Sequence, residues 1–136
     1  MVAPTSTTFA VITGGGTSGH VVPAIAIAEL LVDAGHDMST LHYVGSNRGA
    51  EVSMIPAIGL AHTFLAVDGL QRGLSVSKVK RNVLMVPTML RALRAAKTLL
   101  TKIEPRVVIS VGGYASIPTC RAARKLGIPV VTCSYD

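Results

Sequence analysis

Tryptophan is missing from this 136-residue chain, and only two Phe and three Tyr are present. A core without large aromatics has to be assembled from Val, Ile, Leu, Ala and Met, the mix of a parallel sheet covered by helices on both faces. The same shortage argues against a nucleic-acid surface, where aromatic rings stack on bases, and no nucleic-acid motif is present. No apolar run reaches the roughly 18 residues needed to span a bilayer. The N-terminal stretch MVAPTSTTFAVITGGG has no basic residue ahead of its apolar run, so no secretory leader is expected. Cysteine is nearly absent. Cys120 and Cys133 show no metal-ligand spacing and are expected to be reduced, buried thiols of a cytosolic protein.

Basic residues are almost lacking from the first half. Residues 1–70 carry only Arg48 against Glu29, Asp33, Asp37, Glu51 and Asp68, whereas residues 71–136 carry twelve Lys and Arg against Glu104 and Asp136. The net charge of +6 is therefore concentrated. One face of the domain should be strongly positive and meet anionic lipid or phosphorylated ligands.

What is present is an alternation of short β-branched runs with longer helical ones. Strands are expected at Phe9–Thr13, Thr40–Val44, His62–Val67, Val107–Ser110 and Val130–Cys133. Helices are expected at Val21–Ala34, ending at Gly35, at Ala50–Ile58, ending at Gly59, and at Thr119–Leu126, ending at Gly127. A long helical region, Ser77–Ile103, contains Pro87, which should kink or split it. Glu29, Asp33 and His36 form one narrow polar stripe, so most of the first helix should be buried. The pattern is that of an α/β, doubly wound parallel five-stranded sheet, Rossmann-like, with strand order 3-2-1-4-5. Ligands of such sheets bind at the carboxyl ends of the strands, beside the switch point between strands 1 and 4. The chain stops three residues after its expected last strand, which suggests either a shortened chain or half of a larger protein.

Both glycine turns fall at that end of the sheet. Gly14-Gly15-Gly16-Thr17-Ser18-Gly19 matches G-x-G-x-x-G between a strand and a helix, and the helix N-terminus offers amides and a positive dipole end to an anion. A dinucleotide site also wants an acid after strand 2. Here that position reads Val44-Gly45-Ser46-Asn47-Arg48, so only an NADP site using Arg48 stays open. Gly14 and Gly19 have Walker A spacing, but His20 and Val21 replace the Lys and the hydroxyl residue, which argues against NTPase chemistry. A ligand-free tight turn is the remaining reading. His20 sits in the first helical turn, where imidazolium is disfavoured. It can serve as a general base toward a sugar hydroxyl or simply cap and pack the helix.

The stretches GGGTSGHVVPAIAIAELLVDAGH, YVGSNRGAEVSMIPAIGL, VDGLQRG and VVISVGGYASIPTCRAARKLGIPVV, in that order, resemble the N-terminal domain of the MurG family of bacterial glycosyltransferases. The resemblance covers nearly the whole chain. It implies the N-terminal half of a two-domain GT-B fold, with a C-terminal donor domain that residues 1–136 lack. It implies transfer of GlcNAc from UDP-GlcNAc to an undecaprenyl-diphosphate-linked sugar, lipid I, in peptidoglycan synthesis. Gly14, Gly15, Gly16, Thr17, Ser18, Gly19, Gly112, Gly113 and Tyr114 would then bind the acceptor diphosphate, and His20 would be the catalytic base. Neither metal nor cofactor is implied. Ser18 and Ile117 replace family glycines, and Cys133-Ser134-Tyr135-Asp136 replaces a His-Glu-Gln-Asn run. A non-catalytic acceptor- or membrane-binding subunit of a two-chain transferase is the alternative.

Residues 72–106 interleave nine basic residues with apolar ones. Lys78, Lys80, Arg81, Leu84, Met85, Met89, Arg91 and Arg94 are read as an anionic-membrane patch, which makes the protein cytoplasmic and peripheral on the inner face of the cell membrane. An ordinary core helix with a solvated basic face is the competing reading. Arg121, Arg124 and Lys125 are expected to form a solvated face.

Overall fold

Period-two alternation decides the layers. In β1 (Ala10–Thr13) Ala10 and Ile12 turn to one face and Val11 to the other, and all three are fully buried. A strand buried on both faces must be covered by helices on both. The computed structural model, which describes residues 8–67 and 76–133, has that arrangement. Side chains of residues 76–78, 81, 82, 84 and 85 fall outside the described ones. After β1 come α1 (Ser18–Asp33), β2 (Leu41–Ser46), α2 (Glu51–Ala57) and β3 (Ala61–Leu65). Then follow α3 (Val76–Ile103), β4 (Val107–Ser110), α4 (Ile117–Lys125) and β5 (Val130–Thr132). Short 3-10 turns at Met38–Thr40 and Tyr114–Ser116 precede β2 and α4.

The sheet order is β3-β2-β1-β4-β5, as expected, and every pairing is parallel. Ile12 stands beside Tyr43 on β2 and Ile109 on β4. Ala10, Ile12, Leu41 and Tyr43 pack with Val21, Ala24 and Ala28 of α1 and Ile55 of α2. Val11, Val44 and Val108 pack with Ala92, Ala96 and Leu100 of α3 and Ala122 and Ala123 of α4. The small alanines let the helices approach the sheet closely.

Four expectations are corrected. Helix α1 begins at Ser18 rather than Val21, because Thr17 is extended (φ −137°, ψ 155°) and caps the turn, which brings Gly19 and His20 into the helix. That helix is not largely buried. Only Val21, Ala24 and Ala28 are, whereas Leu30 is 65% and Val22 53% exposed. A helix on a sheet buries one stripe, and apolar residues off the stripe face outward. Of the kink or split expected at Pro87, the split does not occur: α3 runs unbroken for 28 residues. Pro87 lies on the exposed side, where water can satisfy the Val83 carbonyl that the ring frees. The two cysteines are free and half-buried rather than buried, and burial pushes the Cys120 thiol up, away from thiolate chemistry.

Candidate functional site

The site forms where β1 and β4 end side by side. The Val111 amide donates to the Thr13 carbonyl (2.9 Å), and the Thr13 hydroxyl donates to the Val44 carbonyl (2.8 Å), so the strand ends are locked together. The two glycine turns leave from there and press on each other. A Cβ on Gly113 would lie 2.5 Å from the Gly15 carbonyl oxygen, and one on Gly16 would lie 2.5 Å from the Tyr114 ring. A Cβ on Gly14 would collide with the Val111 side chain. These glycines are therefore required by contacts within the protein. Gly19 and Gly112 differ: nothing comes closer than 3.7 Å (Thr17 Oγ1) and 3.5 Å (His20 Cδ2) to a Cβ placed there. A Cβ at either position would meet only ordinary van der Waals contact.

His20 lies between the turns. Its half-buried ring packs over Gly112 and Gly113, and its Nδ1 is 2.9 Å from Thr17 Oγ1. No other hydrogen bond to the ring occurs among the described residues, so Nε2 is the atom left for a substrate. For Nε2 to accept a proton, Nδ1 must carry its hydrogen and donate it to Thr17 Oγ1. The main-chain amides of Thr17, Ser18 and Gly19 have no hydrogen-bond partner among the described residues, and all three residues are exposed. They form an anion-accepting helix start. Gly112, Gly113 and Tyr114 are half-buried on the opposite wall.

Two residues of the site carry no clear signal in the sequence. Glu51 at the start of α2 is fully buried, and its carboxylate accepts from the amides of Ser46 (2.9 Å) and Gly16 (3.1 Å). Tyr43, also fully buried, donates its hydroxyl to the Gly14 carbonyl at 2.8 Å. Burial first, and then the charge of Glu51, hold the Tyr43 hydroxyl far above its ordinary pKa, so it remains a donor at any physiological pH. An acid in the first turn of a helix is visible in a sequence, but it reads as a helix-dipole partner. Nothing in the sequence says that the carboxylate turns inward. Tyr43→Phe should cost about 1–2 kcal/mol, because it leaves the buried Gly14 carbonyl without its partner. Urea unfolding of the variant checks this.

Arg48, the residue that kept an NADP site open, is on an exposed turn, and its amide donates to Ser46 Oγ (3.0 Å). The acid near that strand end, Glu51, faces the glycine turn instead of a ribose position.

The basic region divides by face. Ala92, Ala96 and Leu100 are the inner stripe of α3, and Met89 packs half-buried against the same core, which removes it from the expected outer patch. Val79, Val83, Val86 and Leu90 form an exposed outer stripe, with Lys80, Arg91 and Arg94 also exposed. The side chains of Lys78, Arg81, Leu84 and Met85 lie outside the described residues, as do Ser134, Tyr135 and Asp136 and the segment 68–75. Arg121 and Lys125 of α4 join Arg94 and Lys97 around a groove of about 270 Å³ floored by Leu90, Leu93 and Ala122. Arg121 and Lys125 thus share one surface with the α3 cations, whereas Arg124 lies beside Cys120 and Val130. No helix among the described residues is long and apolar enough to cross a membrane.

A doubly wound parallel sheet with two glycine turns facing each other at its switch point defines a Rossmann-like domain. The profile of the glycosyltransferase family 28 N-terminal domain matches residues 10–133, and the chain belongs to that family. It is 39% identical over 121 residues to the UDP-N-acetylglucosamine–N-acetylmuramyl-(pentapeptide) pyrophosphoryl-undecaprenol N-acetylglucosamine transferase of Leuconostoc citreum, covering 89% of this chain and 31% of that enzyme. It is 41% identical over 121 residues to the enzyme of the same name from Lacticaseibacillus casei, covering 89% and 32%. Among solved structures, Acinetobacter baumannii MurG superposes with a TM-score of 0.69 at 24% identity, over 93% of this chain and 34% of that one. The calicheamicin glycosyltransferase CalG4 superposes with a TM-score of 0.63 at 17% identity, over 93% and 32%. These two likenesses show the fold. The chain spans about a third of the length of the curated relatives it matches.

Proposed function

We propose that this chain is the acceptor-binding N-terminal domain of an inverting glycosyltransferase that moves GlcNAc from UDP-GlcNAc to an undecaprenyl-diphosphate-linked sugar. The observation that carries the reading is His20, held by Thr17 between two glycine turns with Nε2 left over, beside the unpartnered amides of Thr17, Ser18 and Gly19. The relatives' names supply the substrates. In this reading the acceptor diphosphate binds those amides, beside Gly112. Nε2 takes the proton of the acceptor hydroxyl while its oxygen bonds to the anomeric carbon of GlcNAc. The bond from that carbon to the diphosphate of UDP breaks on the opposite side, which inverts the centre. The UDP-GlcNAc site belongs to a second domain. Incubating the full-length protein with UDP-GlcNAc and a lipid I analogue should yield the disaccharide-linked lipid, and no transfer would overturn the reading.

The outer stripe of α3 and the basic groove shared with α4 fit an anionic membrane surface on the cytoplasmic side. Apolar residues at helical spacing and exposed cations occur on the same face. Each cation near a charged bilayer contributes about 1 kcal/mol, so replacing Arg94 and Lys97 by Ala should weaken binding to phosphatidylglycerol vesicles about 30-fold at low salt. Vesicle sedimentation measures it. Unchanged partition would mean an ordinary solvated face.

A further inference from the structure

Glu51 has no place in the reaction just described, yet it is the first residue of α2, fully buried, and a carboxylate. Its own helix gains no side-chain cap from it: the N-cap is Ala50, and no side-chain cap bond is made there. The carboxylate crosses instead to the first glycine turn. Oε1 accepts from the Ser46 amide at 2.9 Å and the Gly16 amide at 3.1 Å, and Oε2 lies 3.3 Å from the Gly16 nitrogen. A Cβ on Gly15 would sit 2.5 Å from Glu51 Oε1 and 2.7 Å from the Tyr43 hydroxyl oxygen. The turn is thus clasped from below, at the Gly14 carbonyl by Tyr43 and at the Gly16 amide by Glu51.

The next residue along the chain is Thr17, whose side chain holds His20. One peptide unit therefore separates the Glu51 hydrogen bond from the residue that fixes the imidazole. The clasp also decides which amides can meet a ligand. A protein carboxylate already fills the Gly16 amide, so an incoming anion is directed to the amides of Thr17, Ser18 and Gly19. Hydrogen bonds to an ionised acceptor are the strong ones, and a buried one keeps its strength.

We infer that Glu51 is a positioning residue of the transfer site: through Gly16 it sets the place of Thr17 and His20 and confines the acceptor diphosphate to the helix start. The inference rests on the function proposed above. It is tested in the full-length protein with E51Q, which keeps the size and one acceptor but turns an NH2 group toward an amide donor.

Displacing a reacting group by about an ångström costs up to 100-fold. E51Q should accordingly lose roughly 10- to 100-fold in kcat with the lipid acceptor. KM for UDP-GlcNAc should stay unchanged, because the donor binds elsewhere. Hydrogen–deuterium exchange of the peptide spanning residues 10–21 should speed up with no global change. A variant that unfolds at lower temperature but turns over like the wild type while folded would overturn the inference, as would equal damage to donor and acceptor parameters. Residue-resolved exchange on the wild type tests the clasp even if E51Q does not fold. The Gly16 amide should be protected although it lies in a turn, and exchange as fast as an open loop would overturn the proposal. If the wild type shows no transfer at all, the proposed function fails, while the exchange result still judges the clasp.

Discussion

His20→Ala in the full-length protein is expected to lower kcat by about 10²- to 10⁴-fold, the range over which a positioned general base contributes. The fall should appear equally in kcat and kcat/KM for the acceptor, since proton removal is an interaction made in the transition state and not in the ground state. Stability should change little. The ring is half-buried, and its one side-chain hydrogen bond among the described residues is to an exposed threonine. The same geometry predicts a second, smaller loss. Thr17→Val keeps the shape of the side chain but removes the oxygen that accepts from Nδ1. The imidazole is then free to adopt the tautomer with the hydrogen on Nε2, which cannot act as a base. A drop of about tenfold, smaller than that of His20→Ala, is expected. Unimpaired turnover in His20→Ala would remove the histidine from the chemistry and leave it as a packing residue over Gly112 and Gly113.

The strands and their parallel run were legible because they rest on local patterns: β-branched runs, helix-ending glycines and the alternation of elements, which also place both glycine turns at the carboxyl ends. The order 3-2-1-4-5 comes instead from the usual topology of doubly wound sheets. Gly14 to Gly16 and Gly113 were legible as special positions, but not for their reason. A sequence cannot say whether a glycine makes room for a ligand or for another part of the chain. Here the distances say that Gly15, Gly16 and Gly113 make room for the opposite turn, for Glu51, Tyr43 and Tyr114. Gly19 and Gly112 are the ones with no crowding neighbour. Glu51 escaped for a related reason: its partners are main-chain amides, one of them 35 residues away, and backbone groups leave no mark in a sequence. The helix faces show the same limit. Apolar content predicted burial for α1, yet the sheet can cover only one stripe. The charge of α4 looked separate from that of α3 until the packing of the two helices joined Arg94, Lys97, Arg121 and Lys125 around one groove.

Gly113→Ala should be the most damaging of the small substitutions. Gly113 has φ +84° and ψ 158°, a region open essentially to glycine alone. Holding an L-residue there costs about 1–3 kcal/mol. The added methyl also meets a main-chain atom, the Gly15 carbonyl oxygen at 2.5 Å, which is fixed by its own turn and cannot swing aside as a flexible side chain would. Overpacking of that kind costs about 1–3 kcal/mol more. The sum, about 2–6 kcal/mol, is a large part of the stability of a domain this size. Gly59→Ala and Gly127→Ala are the matched controls, with φ +73° and +74° and nothing within 4 Å of the new methyl. They should lose only about 1–2 kcal/mol, the cost of the left-handed backbone. The difference between Gly113→Ala and the controls combines the contact between the two turns with the extra strain of the Gly113 backbone. If the turns instead part to admit the methyl, stability is spared but the walls on either side of His20 separate, and acceptor turnover falls in its place. Calorimetry and acceptor kinetics on the same preparations tell the two apart. A Gly113→Ala protein matching Gly59→Ala in both would mean that the turns do not touch.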